Sequence, residues 1–407
     1  MSGASTDPEG RWRALAILAV AVLLAMTTWF SATAALPQLR ETWRLSGSEA
    51  AWLTIAVQVG FVAGALTSAA LTLSDILAPR RMILLGALGA ATANAFLLLA
   101  EGPGTALPLR LATGFFLAGV YPPAMKSMAT WFRAGRGTAL GILVGALTLG
   151  SAAPHLINGL GGVDWRVVVA ATTALTVIGG LLAVTAGAEG PWPFPRATFD
   201  PRQARRAFAE RGVRLASLGY FGHMWELYAM WAWFVAFYAA VLAGHGAAAP
   251  LRGAAFATFA VIAVGAAGCW VGGVLGDRWG RTRTTALSMA ISGSCALVIG
   301  HLIEAHPAIV LALGLVWGFW VVSDSAQFST IVTEVADQRY VGTALTLQLA
   351  IGFLLTGVTI WLLPALVDRL GWGWAFAALA PGPALGVVAM LRLKAAPDVA
   401  RIAGGRG

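Results

Sequence analysis

Residues 273–283 read GVLGDRWGRTR, and residues 71–81 read LTLSDILAPRR. Each is a short polar loop, an aspartate followed by arginines, set between two long apolar runs. Asp277 and Asp75 stand 202 residues apart. A second echo is the tetrapeptide GTAL, which begins at Gly137 and again at Gly342, an offset of 205. Two independent echoes at nearly one offset mark the halves as copies of one unit.

The apolar runs around these loops define what the unit is. The chain has 407 residues, 58% hydrophobic and only 11% charged, with a mean hydropathy of +0.76. A soluble domain carries about 25% charged residues, so this chain has too few to clothe a water-facing surface. About 20 apolar residues in a helix cross a bilayer core, and twelve such runs are present: 14–36, 50–72, 82–100, 107–129, 138–158, 167–187, 215–242, 253–275, 284–304, 308–332, 342–365 and 372–391. The expected fold is all-α and membrane-integral, two pseudo-symmetric six-helix bundles at 1–187 and 215–407. The polar stretch 188–214 between them contains Pro191, Pro193 and Pro195; Asp200 with Pro201 reads as a helix start and Gly212 as a stop, so a short surface helix is expected in this linker.

Charge sets the orientation. With the amino terminus inside, the cytoplasmic side receives 21 of the 27 Lys and Arg, the outer side only Arg40, Arg44, Arg166, Arg252 and Arg369, and Arg110 falls within a span. Both termini are therefore expected in the cytoplasm. The first run has some features of a cleavable signal, with Arg11 and Arg13 before it and Ala32, Thr33 and Ala34 after its core, but its removal would break the six-plus-six pattern. The net charge of +9 is dispersed in loops and forms no basic face, which excludes a nucleic-acid partner. Cys269 and Cys295 lie in apolar runs without metal-ligand spacing, so no metal or cofactor is expected. Frequent Ala, Gly and Arg point to a bacterial inner membrane, and nothing in the chain calls for more than a monomer.

At this point the sequence resembles the major facilitator superfamily of secondary transporters. The second loop matches the family's motif at Gly273, Leu275, Gly276, Asp277, Arg278, Gly280 and Arg281, while the first keeps Asp75, Arg80 and Arg81 but has Leu71, Ile76 and Ala78 where Gly, Arg and Gly are expected. Arg110 and Gly114 match the family's Arg-x-x-x-Gly element. The resemblance implies the twelve-helix fold, alternating access, and loops that latch one bundle onto the other: Asp277 on Gly137 and Thr138, Asp75 on Gly342 and Thr343. A helix amino terminus favours a carboxylate on physical grounds as well; the competing reading is that the arginines merely hold the loops inside.

Only two acids sit inside spans and away from the loops, Glu226 and Asp324. An ionisable group there costs at least ~2.5 kcal/mol and needs a partner, a wet cavity or a function. His223 is three residues before Glu226 on one helical face, so the two are expected to pair and exchange a proton, or to act as structural glue. Asp324 is aligned with Trp317, Trp320 and Gln327, and could instead pair with Lys126 or Arg339. With Trp29, Gln58, Arg110, Trp233 and Gln348 these residues form the expected substrate cavity; Arg110 either snorkels to the outer headgroups or, as the family resemblance implies, lines the cavity as an anion contact or charge relay. Asn94, His155 and Asn158 read as helix glue.

The function expected is therefore a secondary carrier for a small organic solute, coupled to protons. Lys126 and Lys394, the only lysines, follow no glycine, so there is no phosphate-binding loop for ATP drive. Efflux of drug-like compounds is the alternative, although GSAAPHLING at 150–159 lacks the adjacent Gly-Pro pair of the family's drug antiporters. A non-transporting sensor or assembly protein of the same fold is a further one. No Ser-His or Cys-His constellation suggests an enzyme.

Overall fold

The computed structural model describes residues 8–132, 135–162, 164–185, 189–192, 202, 204–337, 339 and 341–407. Among them every regular element is a helix. The longer ones are α1 (Arg11–Ala25), α2 (Gly47–Ala70), α3 (Pro79–Phe96), α4 (Pro103–Leu117), α5 (Tyr121–Ala129), α6 (Arg136–Leu160) and α7 (Trp165–Val184). The second half has α8 (Arg211–Gly244), α9 (Pro250–Trp279), α10 (Arg281–Ile299), α11 (Pro307–Trp320), α12 (Ser325–Val335), α13 (Val341–Ala377) and α14 (Pro381–Lys394).

Local chemistry places the starts. Ser46 and Glu49 form a capping box on α2, with Ser46 N–H donating to Glu49 Oε2 at 2.8 Å and Glu49 N–H to Ser46 Oγ at 3.3 Å. Asp164 accepts from Arg166 N at 2.9 Å at the start of α7. Prolines open α3, α4, α9, α11 and α14, where a missing N–H leaves no carbonyl unpaired.

Ten stretches are long and apolar enough to cross a membrane. The last, Val341–Lys394, has 54 residues; as one straight helix it would run about 80 Å, far beyond a ~30 Å hydrocarbon core. It turns back at Gly371, whose φ of 77° interrupts the helix. Residues 103–129 are helical in two pieces, α4 and α5, because Pro122 and Pro123 lack the N–H groups that would continue the ladder to Ala118 and Gly119. Counting that pair as one span and the last stretch as two accounts for the twelve runs.

One boundary differs from expectation. Gly212 does not stop a helix; it sits in the first turn of α8, where a Cβ would lie 3.1 Å from Val335. The linker shows a single helical turn at Ala204–Ala207, and Asp200 and Pro201 lie outside the described residues.

Helices approach closely where side chains are absent. Along α6 and α9, a Cβ on Gly141 would lie 2.4 Å from Cys269 O, and one on Gly273 2.7 Å from Gly137 O. On α4, a Cβ at Gly114 would meet Val57 O of α2 at 2.0 Å. Such backbone approach is how helices pack where lipid supplies no hydrophobic drive.

Candidate functional site

Where the two halves meet, aromatic side chains enclose a cavity of ≈ 60 Å³, room for a few water molecules. Trp29 and Phe61 come from one half, Tyr228, Trp231 and Phe353 from the other. The Phe353 ring lies 4.8 Å from Phe61, 5.6 Å from Trp29 and 5.3 Å from Tyr228. The indole N–H groups of Trp29 and Trp231 have no hydrogen-bond partner among the described residues. Tyr121, Tyr220 and Tyr228 also line the space, and none of their hydroxyls is hydrogen-bonded among the described residues. An unpaired buried donor costs about 1–3 kcal/mol, so the walls are poised for acceptor atoms.

Ser325 and Ser329 of α12 add polar groups to this lining. Behind Ser325 stands a chain of side chains: His223 Nε2 is 2.9 Å from Ser325 Oγ, and His223 Nδ1 is 2.9 Å from Asp324 Oδ1. The second contact is at ion-pair distance without hydrogen-bond direction. His223 and Asp324 are both buried. Their meeting follows from a broken helix. Residues 321–324 form turns between α11 and α12, which makes Asp324 the residue that precedes α12.

The expected pairing of His223 with Glu226 is not made. Glu226 accepts from Trp317 Nε1 at 2.7 Å and from Ser292 Oγ at 2.8 Å, so each oxygen is bound from a neighbouring helix, α11 or α10. The pairing of Asp324 with Arg339 is not made either. Arg339 Nε donates to both oxygens of Asp337 at 3.1 Å, which holds that loop carboxyl down to about 2.

Arg110 does not line the cavity. It is fully buried and donates from Nε to Leu53 O at 3.2 Å, from Nη1 to Thr28 O at 2.9 Å and Ser31 Oγ at 3.0 Å, and from Nη2 to Trp29 O. The first span is interrupted by the 3-10 turn Met26–Thr28, and the guanidinium takes carbonyls at that break. Asn94 reinforces it, accepting from Ser31 Oγ at 2.6 Å. Asn158 binds Ala34 O at 2.7 Å, helix glue as expected.

Of the other expected cavity residues, only Trp29 lines the space. Trp233 donates to Ile360 O at 3.0 Å, Trp317 is held by Glu226, and the Trp320 ring packs on Phe319. Gln327 accepts from Arg281 Nη1 at 2.8 Å. Gln348 is buried with its Nε2 unpaired, and Gln58 sits at the back of a separate crevice. A stripe read along one helix cannot say which neighbour covers it.

The loop motif forms a latch. Asp277 Oδ2 accepts from Thr138 N at 3.1 Å and from Thr138 Oγ1 at 3.2 Å, at the amino terminus of α6. Gly137 and Gly273 give it room. Arg281 lies 3.4 Å from Asp277 and makes a fork on Glu334, with Nε–Oε2 at 3.1 Å and Nη2–Oε1 at 3.0 Å. Glu334 went unmarked in the sequence because it stands at the end of a span. Gly280, with φ 99°, makes the turn between α9 and α10. Arg278 and Arg80 are exposed, Gly342 is buried in the first turn of α13, and the Asp75 side chain lies outside the described residues. The opposite end is also shut, by Arg252 Nε on Gly159 O at 3.1 Å and Trp361 Nε1 on Ser48 Oγ at 3.4 Å.

Comparison with known proteins agrees with this architecture. Over 195 residues, 46% of this chain and 38% of its counterpart, the sequence is 29% identical to the multidrug efflux pump LfrA of Mycolicibacterium smegmatis. The chain thus spans less than half the length of that relative. The fold is similar to the crystal structure of a bacterial homologue of the human lysosomal transporter Spinster, inward-facing and unoccupied, with a TM-score of 0.65, 16% identity and 96% of each chain covered. Because the sequence profile of the Major Facilitator Superfamily matches residues 18–269, well over half of the chain, this multi-pass membrane protein belongs to that family of transporters.

Proposed function

We propose that the chain is a proton-coupled carrier that exports flat, largely apolar organic compounds from a bacterial cytoplasm through its central cavity. The observation that carries this reading is the chain of contacts from the cavity through Ser325 to His223 and Asp324. An imidazole and a carboxyl group 2.9 Å apart can hold one proton between them, so a solute that binds at Ser325 acts on that proton through His223. The ionisable groups around the pair include Tyr220, whose ring lies 6.2 Å from that of His223, Glu226 in the same helix, and Cys269, whose Sγ lies 3.5 Å from Val322 O, two residues before Asp324. The order acid, histidine, hydroxyl also occurs in acyl-transfer enzymes; in a transporter fold we read it as a proton path.

Unpaired donors and aromatic walls favour a planar solute with acceptor atoms. The resemblance to an efflux pump supports export, and the commitment of Arg110 to backbone carbonyls removes the expected anion contact. The solute and protons are the partners, with lipid as solvent; the protein acts as a monomer in the inner membrane, termini inside, without nucleic acid or catalytic chemistry.

The test is flux of a compound found by thermal-stability screening at pH 6 and pH 8, in vesicles with an imposed pH gradient. Asp324→Asn is expected to abolish gradient-driven flux and flatten the pH dependence of binding, while Ser325→Ala slows flux. Gradient-driven flux that survives Asp324→Asn unchanged refutes the proton site.

A further inference from the structure

A second cavity of ≈ 410 Å³ opens between α2 and α13. Its rim is apolar and outward-facing: Trp52, Leu354 and Trp361 are all exposed. In a membrane-embedded chain such a rim meets lipid. No ionisable side chain lines it among the described residues. Gln58, halfway along the 24-residue α2, stands at its back, fully buried, with neither its amide nitrogen nor its amide oxygen bonded among the described residues. A free amide at that depth costs several kcal/mol unless something binds it. Phe353 lines both this crevice and the central cavity. Its ring packs on those of Phe61, Trp29 and Tyr228.

From these three features together we infer that the crevice is a side door from the bilayer. An uncharged ring compound dissolved in the lipid, carrying a carbonyl, amide or hydroxyl group, binds against Gln58 and passes into the central cavity when Phe353 turns aside. The inference deepens the carrier reading and rests on it for the onward step. The amide offers both a donor and an acceptor, which an acyl chain cannot use. A charged solute is excluded, because nothing in the crevice pairs with it.

The experiment measures binding of Nile red, a neutral planar dye with a ring carbonyl, to the full chain in lipid nanodiscs against empty nanodiscs, by stopped flow and without a pH gradient. Saturable binding is expected. Gly357→Phe fills a crevice in which a Cβ would already lie 3.3 Å from Ile55, and is expected to slow association by about tenfold and to weaken binding, because it takes up the space against Gln58. Val358→Phe, on the exposed rim, serves should the first variant fail to fold. Gln58→Leu is expected to weaken binding about three- to tenfold. Absence of saturable binding, or wild-type rates in the filled variant, overturns the inference. Gradient-driven flux is measured separately, so loss of the proton site and loss of the side door are told apart.

Discussion

Glu226 and Asp324 look alike in the sequence, two acids in apolar helices, yet their surroundings assign them different work. Both Glu226 oxygens are bound by neutral donors, Trp317 and Ser292. Asp324 meets the ring of His223, which in turn reaches the cavity through Ser325. Glu226→Leu is expected to lower the melting temperature in detergent by a few degrees, at about 1 kcal/mol per lost bond, through the orphaned indole and hydroxyl. Glu226→Gln, which keeps an acceptor for Trp317, is expected to do less and to leave the pH dependence of ligand binding in place. A flat pH profile in Glu226→Gln would return the proton site to Glu226. The i, i+3 spacing correctly put His223 and Glu226 on one helix. It could not show that α10, α11 and α12 supply better partners.

Helix ends are fixed by local chain, although the one stop read from the sequence, Gly212, lies inside α8. Ser46 with Glu49, Asp164, and the prolines at first turns act over three or four residues of local chain, so reading them needs no fold. The latch was legible too, because the loop motif and GTAL repeat at one offset, and Asp277 does sit on the amino terminus of α6. Broken helices were not. The turn at 321–324 that sets Asp324 before α12 carries no proline or glycine, and Arg110 serves a break in another span altogether. Gly273→Val is expected to prise α6 from α9, since even a Cβ there would lie 2.7 Å from Gly137 O. Spin labels across the latch end should show a longer distance. Asp277→Asn, removing a charge worth about 0.5–1 kcal/mol at a helix terminus, should shift the same distribution about two- to fivefold.

Asp277 on Thr138 ties the halves at one end and Trp361 on Ser48 at the other, around a cavity too small for a solute, so transport requires the halves to part at one end and then the other. The far end is held by Trp361 on Ser48, contacts from opposite halves. Replacing both with cysteine and joining them with a short bifunctional maleimide is expected to stop flux while leaving ligand binding from the latch side intact; Cys269 and Cys295 are buried and should not compete. Undiminished flux after full cross-linking would show that this end does not open. Class, span number, internal duplication and the latch all lie in the order of residues, because hydropathy, capping and motif spacing are properties of neighbouring chain. The aromatic cavity, the meeting of His223 with Asp324, the withdrawal of Arg110 to the first span and the unpaired Gln58 emerged only with the fold. Each depends on which helix covers a given face, and in a bilayer almost every face is apolar, so the chain carries little local record of its partners.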